Sequence, residues 1–127
     1  MDVTELPFNR FLGLEVAAAD TGFLVSLPGS ERYTNHLGTV HASALLAVAE
    51  AGSGMFLGRH FGNATGYFPV VRRLRAKFHK PARGRISARA SAEPAKMERV
   101  AAELAAKGRV FVGVSVEVVD ESRAVAL

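Results

Sequence analysis

The sequence has no cysteine among its 127 residues, which excludes both a disulfide framework and a thiolate metal site. Histidine is scarce, with four residues at positions 36, 41, 60 and 79. None stands in an i, i+4 ligand pair, so no metal is expected. No N-terminal stretch combines a basic segment, an apolar run and a cleavage site, and a secretory signal is not expected. Asp and Glu are missing altogether from Ala51 to Ala92.

That acid-free stretch holds nine basic residues: Arg59, Arg72, Arg73, Arg75, Lys77, Lys80, Arg83, Arg85 and Arg89. The rest of the chain carries 7 basic and 12 acidic side chains, so the overall net charge of +4 is unevenly placed. A one-signed segment inside a folded domain points to a phosphate-bearing or otherwise anionic partner, with a solvated basic surface as the plainer alternative. Nucleic acid is not the expected partner, because interleaved aromatics and a recognition helix are both missing. Hydrophobic content of 49% and charged content of 22% are ordinary for a globular protein. The length suits one hydrophobic core, so residues 1–127 are expected to form a single domain.

Residues 3–12, VTELPFNRFL, predict a short helix with Thr4 as N-cap and Gly13 as stop. Residues 14–20 and 22–28 predict a hairpin around Asp20, Thr21 and Gly22. The loop PGSERYTNHLG then leads into an apolar helix over about residues 39–58, ended by Gly and Asn residues between 58 and 66. This helix is nearly apolar enough for a membrane span, but its Gly, Ser, Glu and His content argues against one. Next, YFPVVRRLRAKFHKPA predicts a long strand, with Val70, Leu74, Ala76 and Phe78 on one face and Val71, Arg73, Arg75 and Lys77 on the other. The turn Lys80-Pro81-Ala82-Arg83-Gly84 leads into the strand RISARASAE. Residues 94–107 predict a helix between Pro94 and Gly108. Val110, Val112, Val114, Val116 and Val118 share one face of a following strand, and Asp120-Glu121-Ser122 turns the chain into a final strand, RAVAL. Every side of residues 39–58 is apolar and needs cover, so the expected class is α+β, an antiparallel sheet wrapped around one long central helix.

One carboxylate, Glu50, interrupts that helix. Asn35-x-Leu-Gly-Thr-Val-His41, followed by an acid nine residues after the histidine, resembles the hotdog-fold thioesterase superfamily. The likeness runs over essentially the whole chain and is nearest the phenylacetate-pathway and 4-hydroxybenzoyl-CoA types and a subgroup of small bacterial hotdog domains. Asn35, Gly38, Thr39, His41 and Glu50 carry it, with weaker support from the KPARG turn. The resemblance implies that Asn35 and the Ala42 amide hold a thioester carbonyl and that Glu50 acts as general base or nucleophile. Two positions depart from the family pattern. Ala42-Ser43 replaces a common Gly-Gly pair, and Pro69-Val70-Val71-Arg72 offers no hydroxyl where a Ser or Thr often supports the water.

The residues bear the same chemistry. Hydrolysis of a thioester needs donors for the developing oxyanion and a base for water. A helix start offers free N–H groups and the positive end of the dipole. A carboxylate among apolar residues holds its proton to higher pH, which suits base work near neutrality. Ala42 and Glu50, however, lie about 12 Å apart along a helix rising 1.5 Å per residue. A two-fold dimer with antiparallel helices would bring Ala42 of one subunit near Glu50 of the other, so a composite site at a homodimer interface is expected, in a dimer or a dimer of dimers.

The catalytic candidates are therefore Glu50, Asn35, Ala42 and His41. The substrate-binding candidates are Gly38, Ser43, Arg72, Arg73, Arg75 and Lys77, the basic ones suiting the phosphates of coenzyme A. Each has a plainer role: Glu50 as an ion-pair partner of Arg72, Asn35 as a loop or capping residue, His41 as a structural histidine. No His-acid relay accompanies Ser43, which argues against it as a nucleophile. The expected function is a cytoplasmic acyl-CoA thioesterase without metal or cofactor, coenzyme A being part of the substrate and the membrane playing no part. The alternative is a non-catalytic acyl-CoA or acyl-ligand binding protein on the same fold.

Overall fold

Asp2 opens the chain by accepting the Thr4 N–H at 2.8 Å, capping a 3-10 turn over Val3–Glu5. In this computed structural model, which describes residues 2–61 and 66–127, Leu6 separates that turn from the α-helix α1, Pro7–Leu12. The expected single helix over 3–12 is thus two pieces, because Leu6 before Pro7 is held extended (ψ 138°) and cannot continue a helix. Its cap is Asp2 and not Thr4. Gly13 stops α1 as expected, in the left-handed region at φ 87°.

Strands β1 (Glu15–Val16) and β2 (Val25–Leu27) form the expected hairpin with shorter ladders. β3 (Ile86–Ser91) pairs antiparallel with β2, and β4 (Ser115–Val119) with β3, giving the order β1-β2-β3-β4. The helix α2, Ala42–Phe61, lies across this sheet, and α3, Pro94–Lys107, connects β3 to β4 within its expected bounds. α2 begins three residues later than expected because Val40 instead bridges to Thr34 in antiparallel fashion. It also runs through Gly58; of the other expected stops, Gly62 and Asn63 lie outside the described residues and Gly66 is beyond the end of α2 at Phe61.

Ala44, Leu45, Val48, Ala51, Gly52 and Met55 form one buried stripe of α2, at the spacing of a helix face. They pack on Val25, Leu27, Ile86, Ala88 and Val118. Leu27, Ile86, Val25, Val48 and Val118 are the largest fully buried side chains, each worth about 1.5–3 kcal/mol relative to exposure. Contact is closest at Gly52, where an added Cβ would stand 2.8 Å from the Ala88 Cβ. On the other side of α2, Leu46, Ala47, Ser53 and Leu57 are half-buried, while Ser43 and Glu50 are exposed. The expected α+β arrangement, an antiparallel sheet around one long central helix, is borne out, with the sheet covering the buried stripe of α2.

The long strand expected after α2 does not form a ladder. Residues 66–79 are exposed along both faces and have no assigned strand partner among the described residues. The segment is tethered where Arg72 sits over the Phe111 ring and where the His79 N–H reaches the Ala126 carbonyl at 2.9 Å. Alternation in a sequence sets which side chains share a face, but a strand also needs a neighbouring backbone to pair with. The same holds at 109–114: Val110, Val112 and Val114 are half-buried and Phe111 and Gly113 exposed, as the pattern requires, yet the ladder begins only at Ser115. The final residues fold back on β4, with Val125 bridging Val119.

Candidate active site

The approach to α2 is a tight loop built on Asn35. Its Oδ1 accepts the Leu37 N–H at 2.9 Å and the Thr39 N–H at 3.2 Å, while Nδ2 donates to Thr39 Oγ1 at 2.9 Å. The Asn35 N–H donates to the Thr39 carbonyl at 2.8 Å, and Gly38 completes the turn at φ 76°. Asn35 therefore shapes the loop, and the second hydrogen of its amide has no partner among the described residues.

His41 follows and caps the helix: its Nδ1 accepts the Ser43 N–H at 3.0 Å, and its carbonyl accepts from Ala44 and Leu45. The His41 N–H is fixed on the carbonyl of buried Tyr33 at 2.8 Å. Between these engaged amides, the N–H of exposed Ala42 has no partner among the described residues. An unengaged donor at the positive end of a 20-residue helix is suited to a developing negative charge.

Glu50 projects from the open face of α2, two turns beyond Ala42. It makes no ion pair among the described residues. The expected alternative, pairing with Arg72, is not found: the Arg72 guanidinium is 4.3 Å from the centroid of the Phe111 ring. Such a pair needs the segment after α2 to lie along the sheet, and without a ladder over 67–79 its alternation does not place Arg72 at α2. Arg73, Arg75 and Lys77 are exposed and, like Arg72, without a carboxylate partner among the described residues, whereas Lys80, Arg85 and Arg89 pair with Asp120, Glu15 and Glu117.

Ser43 is exposed, and no described group of three or more His, Asp or Glu is placed to hold a metal ion. A cleft of about 130 Å³, lined in part by Tyr33, Thr34, Gly38, Val40 and Arg83, borders the Asn35 loop. It has room for a few waters but not for a drug-sized ligand, which takes about 300–1,000 Å³. Glu50 does not line it. The chain by itself thus brings together Asn35, Gly38, Thr39, His41 and the Ala42 amide, and leaves Glu50 and the basic residues of 72–77 apart from them.

Sequence reasoning missed three residues that place this loop: Tyr33, Ala82 and Asp120. The Ala82 carbonyl accepts the Val40 N–H at 2.8 Å, and Asp120 fastens the turn that carries Ala82. The Asp120 carboxylate is buried, which by itself would favour the neutral acid. Hydrogen bonds from the Ser122 hydroxyl, Lys80 Nζ and the Arg83 and Ser122 amides outweigh burial and hold its pKa down at about 2. An acid in a polar turn gives no hint of burial in the sequence, and its lysine partner stands 40 residues upstream.

The profile of the DUF4442 family, a domain of unknown function, matches residues 4–127, and the chain belongs to that family. No curated protein matches it. Among solved structures it is similar to PA5026 of Pseudomonas aeruginosa, described as a protein of unknown function and probable thioesterase. Identity there is 23% over 98% of this chain and 83% of that one, with a TM-score of 0.75. The thioesterase HI1161 of Haemophilus influenzae has 17% identity over 98% and 78%, TM-score 0.67. The thioesterase SAV0944 of Staphylococcus aureus has 13% identity over 94% and 89%, TM-score 0.65. The fold is the α+β hotdog fold. No helix among the described residues is long and apolar enough to cross a membrane.

Proposed function

We propose that the protein is a thioester hydrolase acting on acyl-CoA. The observation that carries this reading is the Ala42 N–H, unengaged among the described residues at the start of α2, the helix that the Asn35 loop leads into. Water attacks the thioester carbonyl as Glu50 takes its proton. The oxyanion rests on the Ala42 amide and on the free hydrogen of Asn35 Nδ2. Collapse breaks the C–S bond, the thiolate leaves with a proton returned by Glu50, and the products are a carboxylic acid and free coenzyme A.

Glu50 and Ala42 of one chain are too far apart to act on one carbonyl, so the site is composite and the working form is a homodimer with antiparallel α2 helices. The half-buried Leu46 and Leu57 face of α2 and the exposed Phe68, Val70, Val71, Leu74 and Phe78 on the unpaired segment support a second copy as their cover. Arg73, Arg75 and Lys77, free of carboxylates among the described residues, are assigned to the phosphates of coenzyme A.

A second reading, acyl-CoA binding without hydrolysis, is favoured by one observation: most of the hydrogen-bonding capacity of Asn35 is spent within its own loop. Hydrolysis of an acyl-CoA panel by the wild type and Glu50→Ala separates the two. The enzyme reading expects turnover that falls by orders of magnitude in the variant. No turnover of any thioester by the wild type would sink it, and equal turnover by both proteins would remove Glu50 as the base.

A further inference from the structure

The most deeply buried carboxylate of the chain, Asp120, lies outside the proposed chemistry, with only 3% of its side chain exposed. Its Oδ1 accepts from Ser122 Oγ at 2.6 Å and the Ser122 N–H at 3.0 Å. Its Oδ2 accepts from Lys80 Nζ at 3.1 Å and the Arg83 N–H at 3.2 Å. The carboxylate is thus a bolt between two turns, residues 80–84 and 120–123. The Glu121 N–H reaching the Arg83 carbonyl adds a second tie. The turns are in contact at Gly84, whose φ is 72° and where an added Cβ would strike the Glu121 carboxylate.

Ala82 stands between the two residues that Asp120 grips, and its side chain is fully buried. Its carbonyl takes the Val40 N–H at 2.8 Å, and the next amide, His41, is held by Tyr33 at 2.8 Å. The amide after that belongs to Ala42. A short succession of hydrogen bonds therefore runs from Asp120 through the Ala82–Arg83 peptide to the Val40 amide, two residues before the proposed oxyanion donor.

We propose that Asp120 is a positioning residue for the Ala42 amide, acting through the turn of residues 80–84. This rests on the functional reading above. Loss of the carboxylate releases Arg83 and Lys80 together and lets Ala82 move away from Val40. An amide displaced from the oxyanion weakens transition-state binding more than ground-state binding. The effect belongs in kcat and not in KM.

The test compares wild type with Asp120→Ala, Asp120→Asn, Lys80→Ala and Ser122→Ala, by steady-state kinetics and by amide hydrogen exchange at Val40, at a temperature where all remain folded. Asp120→Ala is expected to lose about 10- to 100-fold in kcat, the size expected for a displaced reacting geometry, with KM unchanged. Exchange at Val40 is expected to quicken while amides of α2 beyond its first turn keep their protection. Lys80→Ala and Ser122→Ala, which leave the bond to Arg83 intact, are expected to keep most of kcat. Asp120→Asn, which retains an acceptor for Arg83, is expected to recover part of it, and it serves alone if the alanine variant does not fold. An active enzyme whose Val40 exchange and kcat are unmoved in either Asp120 variant overturns the positioning role. So does a loss of kcat that only tracks the unfolded fraction. A wild type inactive on every thioester overturns the functional reading and the catalytic consequence with it, while exchange at Val40 still decides whether Asp120 holds the turn.

Discussion

The guanidinium of Arg72 lies over the ring of Phe111, 4.3 Å from its centroid, joining the segment after α2 to the one leading into β4. Phe111 is 76% exposed, and a cation–π contact at such a site is worth about 0.5–1 kcal/mol. Arg72→Ala should lower unfolding stability by no more than that in urea titration. Because Arg72 does not hold Glu50, kcat should remain at the wild-type level. A collapse of kcat in this variant would mean that Arg72 and Glu50 work together after all.

Gly52 sets the closest approach of α2 to the sheet. Replacing a mid-helix glycine by alanine ordinarily gains about 1 kcal/mol in helix propensity. Here the new methyl would sit 2.8 Å from the Ala88 Cβ, with no flexible side chain to yield. Overpacking of this kind costs about 1–3 kcal/mol, so Gly52→Ala is expected to be net destabilising. Chemical denaturation reads the sign directly, and a gain in stability would show that α2 can lift off β3 without loss.

Acid should unbolt the two turns at Asp120. Its folded pKa, about 2, lies below the ordinary value of 3.8, so the ionised carboxylate favours the folded state. That contribution, on the order of 2 kcal/mol, is complete above the ordinary value and is lost as pH falls through the folded one. Stability from urea unfolding should therefore decline between about pH 4 and pH 2 more steeply in the wild type than in Asp120→Asn. Parallel declines would remove the carboxylate from the acid response.

If Arg73, Arg75 and Lys77 meet phosphates, their removal should discriminate between substrates. An Arg73→Glu, Arg75→Glu double variant should raise KM for an acyl-CoA on the order of tenfold at low salt. KM for the matching N-acetylcysteamine thioester, which has no phosphates, should stay as it was. Added salt should narrow the first difference, since these side chains are exposed. Equal effects on both substrates would assign the charges to folding or assembly.

Much of this structure was legible where local chemistry alone decides it. Pro94 and Gly108 bound α3 because proline starts a helix without a lost hydrogen bond and glycine accepts a left-handed stop. Val110 to Val118 announced their inner face by period. The stretch 67–79 was legible as alternating but not as unpaired, since pairing belongs to whatever backbone lies alongside. At the site, Asn35 and Ala42 were singled out by family resemblance, and the start of α2 at Ala42 in place of 39 was hidden because the Val40 bridge to Thr34 is a tertiary pairing. The Glu50–Arg72 pair failed because parity carries no distance. Asp120 was silent because a carboxylate in a turn looks the same whether water or four donors surround it.

The bolt at Asp120 also makes the entry to α2 depend on contacts of long sequence separation. The loop that presents Ala42 is made of residues emerging early in synthesis, whereas the carboxylate that secures it comes from residue 120. Until that residue arrives, Val40 has no firmly held Ala82 carbonyl to pair with, and long-range closures of this kind are the slow ones. The packing of α2 on the sheet and the placing of the loop before it therefore rest on different contacts. The entry to α2 is thus complete only when three stretches far apart in sequence, around residues 40, 82 and 120, have met.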